Sequence, residues 1–208
     1  ADTFGVFQLE SLGMRQLLRK LKCTCITDII DAIALFRPGP MENIPHYLAR
    51  RSKKEPITYL LPCLEPILKS TYGIIIYQEQ IMQIAQVVAG FSLAKADILR
   101  VAMSKKKHAL MDSMHEEFMA GGMQKGYPRE IVEEVFALIE KFADYGFNKS
   151  HSVAYSYIAY QIAYLKANYP IIFFSAILSN DQSSDYTKEQ CKQEGKKYGV
   201  QLLPPSIN

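Results

Sequence analysis

Apolar residues recur every three or four positions through most of this chain, the spacing of one buried face of an α-helix. Ser11 and Ser92 each precede such a stripe and are suited to cap a helix, while Gly90 is suited to end one. The pattern predicts helices after Ser11, over residues 26–34, over 78–89, after Ser92, and over 111–124, 131–142, 153–165 and 182–194. These segments leave little room for a sheet, so the predicted fold class is mainly α.

Two short segments do not follow the helical period. Residues 4–9 are apolar and predict a short extended segment, and residues 71–77 predict either a short buried strand or an extended entry to the next helix. Prolines punctuate residues 37–40 and 56–66, which predicts a rigid turn and a surface segment. The expected architecture is therefore a multi-helix domain with short extended segments, loops and little sheet.

The segment 145–152, Tyr-Gly-Phe-Asn-Lys-Ser-His-Ser, is a polar corner between two long apolar helices. Gly146 is suited to end the first helix, and Ser150 or Ser152 to cap the second. Lys149 and His151 then lie at the start of a helix, beside free backbone N–H groups and the positive end of its dipole, a setting that favours a phosphate. The plain alternative is a solvated turn.

Several long motifs carry a resemblance to a known family. YGFNKSHSVAY, FRPGP and TYGIIIYQEQIMQIA occur in this chain, and the similarity extends from Thr3 to Asn208. In these motifs the chain resembles the alpha subunit of bacterial DNA polymerase III, a family C replicative polymerase. The resemblance implies a fingers domain over residues 1–200, with a subdivision expected near residues 55–70, and an exit linker over residues 201–208.

The resemblance also implies roles for basic residues. Arg100, Lys105, Lys106, Lys149 and His151 would hold the triphosphate of an incoming nucleotide, and Tyr145 would lie near its sugar or base. The family commonly reads LRRAM-GKK where this chain reads LRVAMSKK. Val101 thus replaces an expected arginine and Ser104 a glycine, so the transfer of roles is firmest for Arg100.

A second basic group is assigned to template or duplex DNA. In the resembled family the RPGP turn, which carries Arg37 here, lies near the template and the nascent base pair. The densest positive run, Arg50, Arg51, Lys53 and Lys54, suits a groove that follows DNA phosphates, with a solvated loop as the alternative. Tyr157, Tyr160 and Tyr164 fall on one helix face, where we expect core packing rather than base stacking.

Composition limits the possible functions. The chain is 49% hydrophobic with a net charge of +3, so it can build a core but is only mildly basic. Its four cysteines and the pair His108 and His115 lack metal-ligand spacing, so no metal site is expected, and reduced thiols suit the bacterial cytoplasm. No membrane span is expected. The chain begins without Met, as a piece of a longer protein would.

Template-directed synthesis needs acidic residues that hold two metal ions, and this sequence has no Asp-x-Asp pair. No catalytic residue is therefore predicted here. The resemblance implies that Mg²⁺ is held by aspartates of an absent palm, and that dNTP, primer-template DNA, the palm, a sliding clamp and other replisome proteins are the partners. The fragment should be inactive alone. The alternatives are a non-enzymatic helical nucleic-acid-binding module and a protein-interaction scaffold.

Overall fold

The computed structural model describes residues 2–104, 108–143, 146–180 and 185–203. Over these ranges the chain forms eleven α-helices, three short 3₁₀ turns and no strand longer than a single bridge. The helices are α1 (Leu12–Leu21), α2 (Ile26–Leu35), α3 (Ile44–Arg51), α4 (Glu65–Leu68), α5 (Gln78–Ala89), α6 (Leu93–Ser104), α7 (His108–Gln124), α8 (Arg129–Ala143), α9 (Lys149–Asn168), α10 (Pro170–Asn180) and α11 (Asp185–Lys196). The 3₁₀ turns are Pro40–Asn43, Pro62–Leu64 and Lys69–Thr71. The mainly α prediction is confirmed.

The chain divides into two compact units, Thr27–Val153 and the combined segments Ala1–Ile26 and Ala154–Asn208. In the first unit α5 packs against α6 and α7, and α7 packs against α8. Ile84, Leu99, Phe118 and Phe136 are fully buried in this unit. Gly121 permits the close approach of α7 to the end of α5, because a Cβ there would clash with the Ala89 carbonyl. The predicted domain limits remain predictions.

Local signals located several helices correctly. α5 ends at Gly90, whose φ of 70° is the left-handed conformation that glycine adopts without strain. The Ser92 hydroxyl accepts a hydrogen bond from Lys95 N–H at the start of α6, at 3.2 Å, and Ser11 accepts from Met14 N–H at the start of α1. The residues that α1 buries are the four predicted ones, Met14, Leu17, Leu18 and Leu21.

The two segments that were predicted to be extended differ in the structure. Residues 4–9 form turns, in which the Val6 N–H bonds to the Thr3 carbonyl and the Leu9 N–H to the Val6 carbonyl, so the predicted extended segment is wrong. Of the residues 71–77 predicted to be extended, Thr71 ends a 3₁₀ turn and Tyr72 and Gly73 have positive φ, whereas the buried residues 74–76 lead to the extended Tyr77 at the start of α5. The segment is too short for a strand, and Tyr77 makes only an isolated parallel bridge to Phe147.

The buried face of α9 is not the predicted one. Ser156, Ala159 and Lys166 are buried, whereas Tyr157, Ile158, Tyr160, Tyr164 and Leu165 of the predicted apolar faces are exposed. Two small side chains and one lysine are thus buried on this helix, whereas these large apolar side chains point outward. Core packing of the three tyrosines, the expectation from their spacing, is therefore wrong within this chain.

Lys166, in the second unit, is unusually buried for a lysine, since only 2% of its surface is exposed. Its ammonium donates to the backbone carbonyls of Asp2 and Phe4, at 3.2 and 2.9 Å, and lies 5.4 Å from the ring centre of Tyr198. Burial lowers the pKa of Lys166 because the charged form loses its hydration. This lysine joins α9 to the amino-terminal turns and to the segment after α11.

The sequence pattern did not predict two further helices, α10 and α3. α10 begins at Pro170, where α9 was expected to stop, and its first position tolerates proline because that N–H has no helical partner. α3 occupies residues that were taken for a surface loop, although its Tyr47 is only 1% exposed. α11 confirms the helix predicted over residues 182–194.

None of the described helices alone has the length and apolar composition of a membrane span. α9 and residues Pro170–Ser179 of α10 meet that test only when taken together, and the two helices are bent by 117° at the break between them.

Candidate functional site: a cationic corner

The corner before α9 is anchored on the extended segment that precedes α5. Phe147 N–H donates to the Ile76 carbonyl at 3.1 Å, and Gln78 N–H donates to the Phe147 carbonyl at 3.0 Å. A Cβ on Gly146 would lie 3.0 Å from the Gln78 side chain, so glycine allows this close approach. The corner is therefore held by segments that are far apart in sequence.

Gln80 holds the supporting segment in place with all of its polar atoms. Its side-chain oxygen accepts from the N–H groups of Ile76 and Tyr77, at 2.9 and 3.0 Å. Its amide nitrogen donates to the Thr71 hydroxyl at 2.8 Å and to the Ile67 carbonyl at 3.2 Å. A buried amide that is satisfied in this way specifies one backbone conformation.

A buried carboxylate lies beneath the same segment. Asp31 accepts hydrogen bonds from the hydroxyls of Tyr47, at 2.6 Å, and of Tyr77. Burial raises the pKa of Asp31, although the two hydroxyl donors and the charge of Lys149 act in the opposite direction. Burial and the neighbouring carboxylate also raise the pKa of both tyrosines. Both hydroxyls thus stay protonated and serve as donors.

The start of α9 is capped differently from the prediction. Asn148 accepts from the His151 N–H at 2.8 Å, and both oxygens of Glu79 accept from the Lys149 N–H, at 3.0 and 3.1 Å. Ser152 is fully buried and donates to the Ile30 carbonyl at 2.6 Å, so the predicted capping by Ser150 or Ser152 is wrong. The N–H groups of Lys149 and His151 are therefore engaged, and the expectation of free N–H groups is wrong for these two residues.

The proline turn after α2 meets this corner. The Arg37 guanidinium lies 3.9 Å above the centre of the Phe147 ring, and the rings of Phe147 and His151 form a T-shaped pair with centres 5.3 Å apart. Burial lowers the pKa of Arg37. Lys149 is exposed, with its ammonium 5.2 Å from the centre of the Tyr77 ring. We call Arg37, Phe147, Lys149 and His151 the cationic corner.

In the basic run after Tyr47, the arginines and the lysines have different surroundings. Arg51 makes a bidentate ion pair with the buried Asp28, and the second of its two hydrogen bonds measures 2.9 Å. Arg50 donates to Glu55 at 2.8 Å and to the Tyr72 carbonyl at 3.2 Å. Lys53 and Lys54 are exposed beyond the end of α3. The two arginines therefore stabilise the fold, and the two lysines face solvent.

Of the other residues predicted to bind the nucleotide, only Arg100 lies within the described ranges, and its side chain bonds to a residue of its own helix. On α6 the Arg100 guanidinium donates to Asp97 at 2.8 Å, the local pairing expected from the spacing, and 30% of the arginine side chain is exposed. Lys105, Lys106 and Tyr145 lie outside the described residues. The pairing of Arg100 is partly exposed and adds little stability.

Sequence reasoning missed the polar residues that support the corner: Asp28, Asp31, Tyr47, Tyr77, Glu79 and Gln80. Their signal is polar side chains inside apolar segments, such as the two aspartates in ITDIIDAIAL, the sequence of α2. Across the described ranges, no three His, Cys, Asp or Glu side chains come close enough together to hold a metal ion.

The fold and the cationic corner define a mainly helical module that gathers cations at the start of a helix, a site class that suits polyanionic ligands. The family model of the bacterial DNA polymerase III alpha subunit finger domain matches residues 1–126. DNA polymerase III alpha subunits of Halalkalibacterium halodurans and Staphylococcus aureus are each 53% identical to this chain over 207 residues. The chain belongs to the bacterial DNA polymerase III alpha subunit family. All of it is covered by these alignments, whereas it spans 18% and 19% of the two relatives.

Proposed function

We propose that this chain is the part of a bacterial replicative DNA polymerase that binds the triphosphate of the incoming nucleotide and faces the nascent base pair. One observation carries the proposal: Arg37, which is distant in sequence, lies on the Phe147 ring in the corner that also carries the exposed side chains of Lys149 and His151. Cations held in advance where negative charge develops are what transfer of a nucleotidyl group requires.

Lys149 and His151 are proposed to contact the triphosphate through their side chains. Glu79 and Asn148 already accept from the N–H groups at the start of α9, so the helix contributes its dipole rather than its donors. Arg100, with Lys105 and Lys106 after it, would neutralise the leaving pyrophosphate, and Tyr145 would lie near the sugar or base. Each role awaits its own measurement.

We propose that Arg37, Lys53 and Lys54 contact the template or duplex DNA. Arg50 and Arg51 were assigned to DNA as well, but their donors are engaged with Glu55 and Asp28. A phosphate contact by either arginine would have to share a guanidinium that already has a carboxylate partner. We therefore expect Arg50 and Arg51 to support the DNA surface and the lysines to contact it.

The full-length protein would supply what this chain lacks. We propose that a palm domain holds the catalytic aspartates and Mg²⁺, and that primer-template DNA, a sliding clamp and other replisome proteins are partners in the bacterial cytoplasm. The 208-residue chain alone would then bind substrate elements without polymerising nucleotides.

Single-turnover dNTP incorporation by the full-length enzyme tests the proposal. Lys149→Ala and Arg100→Ala should each lower the apparent nucleotide affinity or the rate at least tenfold, equivalent to about 1.4 kcal/mol, with DNA binding retained. Lys69→Ala is the matched control, because this exposed lysine of the same unit forms a surface ion pair with Glu65 and should leave both quantities unchanged.

The opposite pattern would favour the non-enzymatic nucleic-acid-binding alternative. In that case both variants would weaken DNA binding in a salt-dependent manner while incorporation at saturating DNA stayed unchanged.

A further inference from the structure

A cavity in the unit Thr27–Val153 plays no part in the proposed function. It has a volume of about 590 Å³ and lies between α3, residues 58–60, residues 73–75 and α8. Sites for small molecules in proteins are typically concave, of roughly 300–1,000 Å³, and mostly apolar with a few convergent polar groups. The cavity therefore has the size of a small-molecule site, and its lining decides which chemical class it fits.

The inner lining of the cavity is apolar and belongs to the core. Leu68, Ile74, Ile75 and Phe142 line it and are all buried. Leu138 of α8 also lines it and is 37% exposed, so this residue lies toward solvent. Because these side chains offer no hydrogen-bond partner, a phosphate or a sugar placed among them would lose its hydration without replacement. The interior therefore suits an apolar group.

One wall of the cavity is held in place by Arg50 and Gly73. Arg50 donates to Glu55 at 2.8 Å and to the Tyr72 carbonyl at 3.2 Å. Gly73 has a φ of 79°, and a Cβ there would lie 3.0 Å from the Ile57 side chain, so glycine allows the two segments to pack closely. A pocket that is formed in advance loses little conformational freedom when a ligand enters.

Basic side chains predominate among the charged residues of the lining. His46, Arg50 and Lys141 line the cavity, whereas Glu134 is the acidic residue among the described lining residues. His46 and Arg50 share the carboxylate of Glu55, at 2.9 and 2.8 Å. Lys141 is exposed and forms no ion pair with another described residue. The charge that remains to be complemented is therefore positive.

Lys141 places this positive charge beside the apolar interior. It follows Leu138 by three residues and so lies on the same face of α8. Glu134 is seven residues before Lys141, about 10 Å away along the helix axis. A ligand can therefore pair an anionic group with Lys141 while its apolar part enters the cavity.

We propose that the cavity binds a small amphipathic anion, in which a compact apolar body, such as a fused aromatic ring system, carries one carboxylate. The body contacts Ile74, Leu138 and Phe142, and the carboxylate pairs with Lys141. A nucleotide does not fit this lining, because its phosphates and sugar need several polar partners. An organic cation is opposed by the excess of basic side chains.

Saturation-transfer NMR of the full-length protein tests the proposal with three probes of matched shape. Naphthoate is the anion, naphthamide is its neutral counterpart, and naphthylmethylammonium is the cation. Naphthoate should bind, and the amide should bind roughly tenfold more weakly because it loses a charge-assisted hydrogen bond. The cation should bind no more tightly than the amide. Equal affinities for all three probes would contradict the charge complementarity.

Variants of α8 show whether the probe lies in this cavity. Lys141→Ala should weaken naphthoate binding roughly tenfold and leave the affinity for the amide unchanged, whereas Lys141→Arg keeps the charge and should retain most of the affinity. Leu138→Trp should fill the cavity and abolish the binding of both probes. Lys69→Ala and Leu93→Trp are the matched controls, since both residues are exposed in the same unit and outside the lining.

Two further results would overturn the proposal. Naphthoate binding that is unchanged in both Lys141→Ala and Leu138→Trp would place the probe elsewhere on the protein. No saturation transfer from the parent would mean that the cavity binds no anion of this class. If circular dichroism shows that Leu138→Trp does not fold, the two Lys141 variants still decide, because Lys141 is exposed and its replacement spares the core. None of these results bears on the nucleotide contacts of Lys149 or Arg100.

Discussion

The two basic stretches of this chain use their cations in opposite ways. Residues 50–54 contain the densest positive charge, yet Arg50 and Arg51 are tied to Glu55 and Asp28. Residues 149–151 contain fewer cations, and the side chains of Lys149 and His151 are exposed at the corner. Charge density along the sequence therefore does not show which cations remain exposed, because that depends on the carboxylates that the fold brings near each one.

The difference has a simple physical origin. Asp28 is 4% exposed, so its charge lacks hydration and requires a partner, which the planar guanidinium of Arg51 supplies through two parallel hydrogen bonds. The charge of Lys149 acts on the buried Asp31, and Glu79 bonds to the backbone N–H of Lys149. Its exposed ammonium lies 5.2 Å from the centre of the Tyr77 ring, and within the described part of the chain no bidentate partner like that of Arg51 is seen for it.

Arg51→Ala should lower the free energy of unfolding by about 3 kcal/mol, because it leaves the buried Asp28 carboxylate without its partner. Lys54→Ala is the control from the same stretch and should stay within about 0.5 kcal/mol of the parent, since Lys54 is exposed. Urea unfolding followed by circular dichroism measures both. Equal losses for the two variants would contradict the division between paired and exposed cations.

Tyr77→Phe should cost about 1–3 kcal/mol, because Asp31 loses one of its two hydroxyl donors in a buried site. Tyr47→Phe should cost a similar amount, and the double variant should differ from the sum because both donors serve one carboxylate. A double-mutant cycle by urea unfolding measures the coupling. Strict additivity would show that the two hydroxyls act independently.

The pH dependence of stability should carry the signature of Asp31. Burial raises its pKa in the folded chain above the ordinary value of 3.8, so the folded state takes up the proton first as the pH falls. This carboxyl therefore destabilises the fold at neutral pH, and the penalty is relieved between its raised pKa and 3.8. Urea midpoints measured from neutral pH downward should favour the parent progressively over Asp31→Asn. A pH-independent difference would contradict the raised pKa.

The smallest effect should come from Glu79→Gln. This variant removes the negative charge at the start of α9, a loss of about 0.5 kcal/mol in stability by the helix-dipole interaction. Glu65→Gln provides a comparison, since Glu65 is an exposed carboxylate that pairs with Lys69 on the surface. Thermal unfolding at low and high salt measures the difference, which should shrink as salt screens it. A salt-independent loss would point to a steric cause.

Much of the fold followed from local pattern. The limits of α5, the caps of α1 and α6, and the buried stripe of α1 were all predictable, because each depends on residues within about one helical turn. α3 escaped prediction because prolines and charges around it resemble a loop, and only its contacts reveal Tyr47 as a buried anchor. The outward-facing tyrosines of α9 show the same limit, since periodicity does not say which face is covered.

For the candidate site, too, some features were predictable from the sequence and others were not. That Lys149 and His151 lie at the beginning of a helix followed from the sequence alone, because helix-ending glycines and polar capping residues act over a few residues, although the cap is Asn148 and not the predicted serine. Only the tertiary structure decided that Arg37 would stack on Phe147 and that Arg51 would be committed to Asp28. Hydrogen bonds within a helix join residues four apart, whereas ion pairs and ring contacts depend on how distant segments pack.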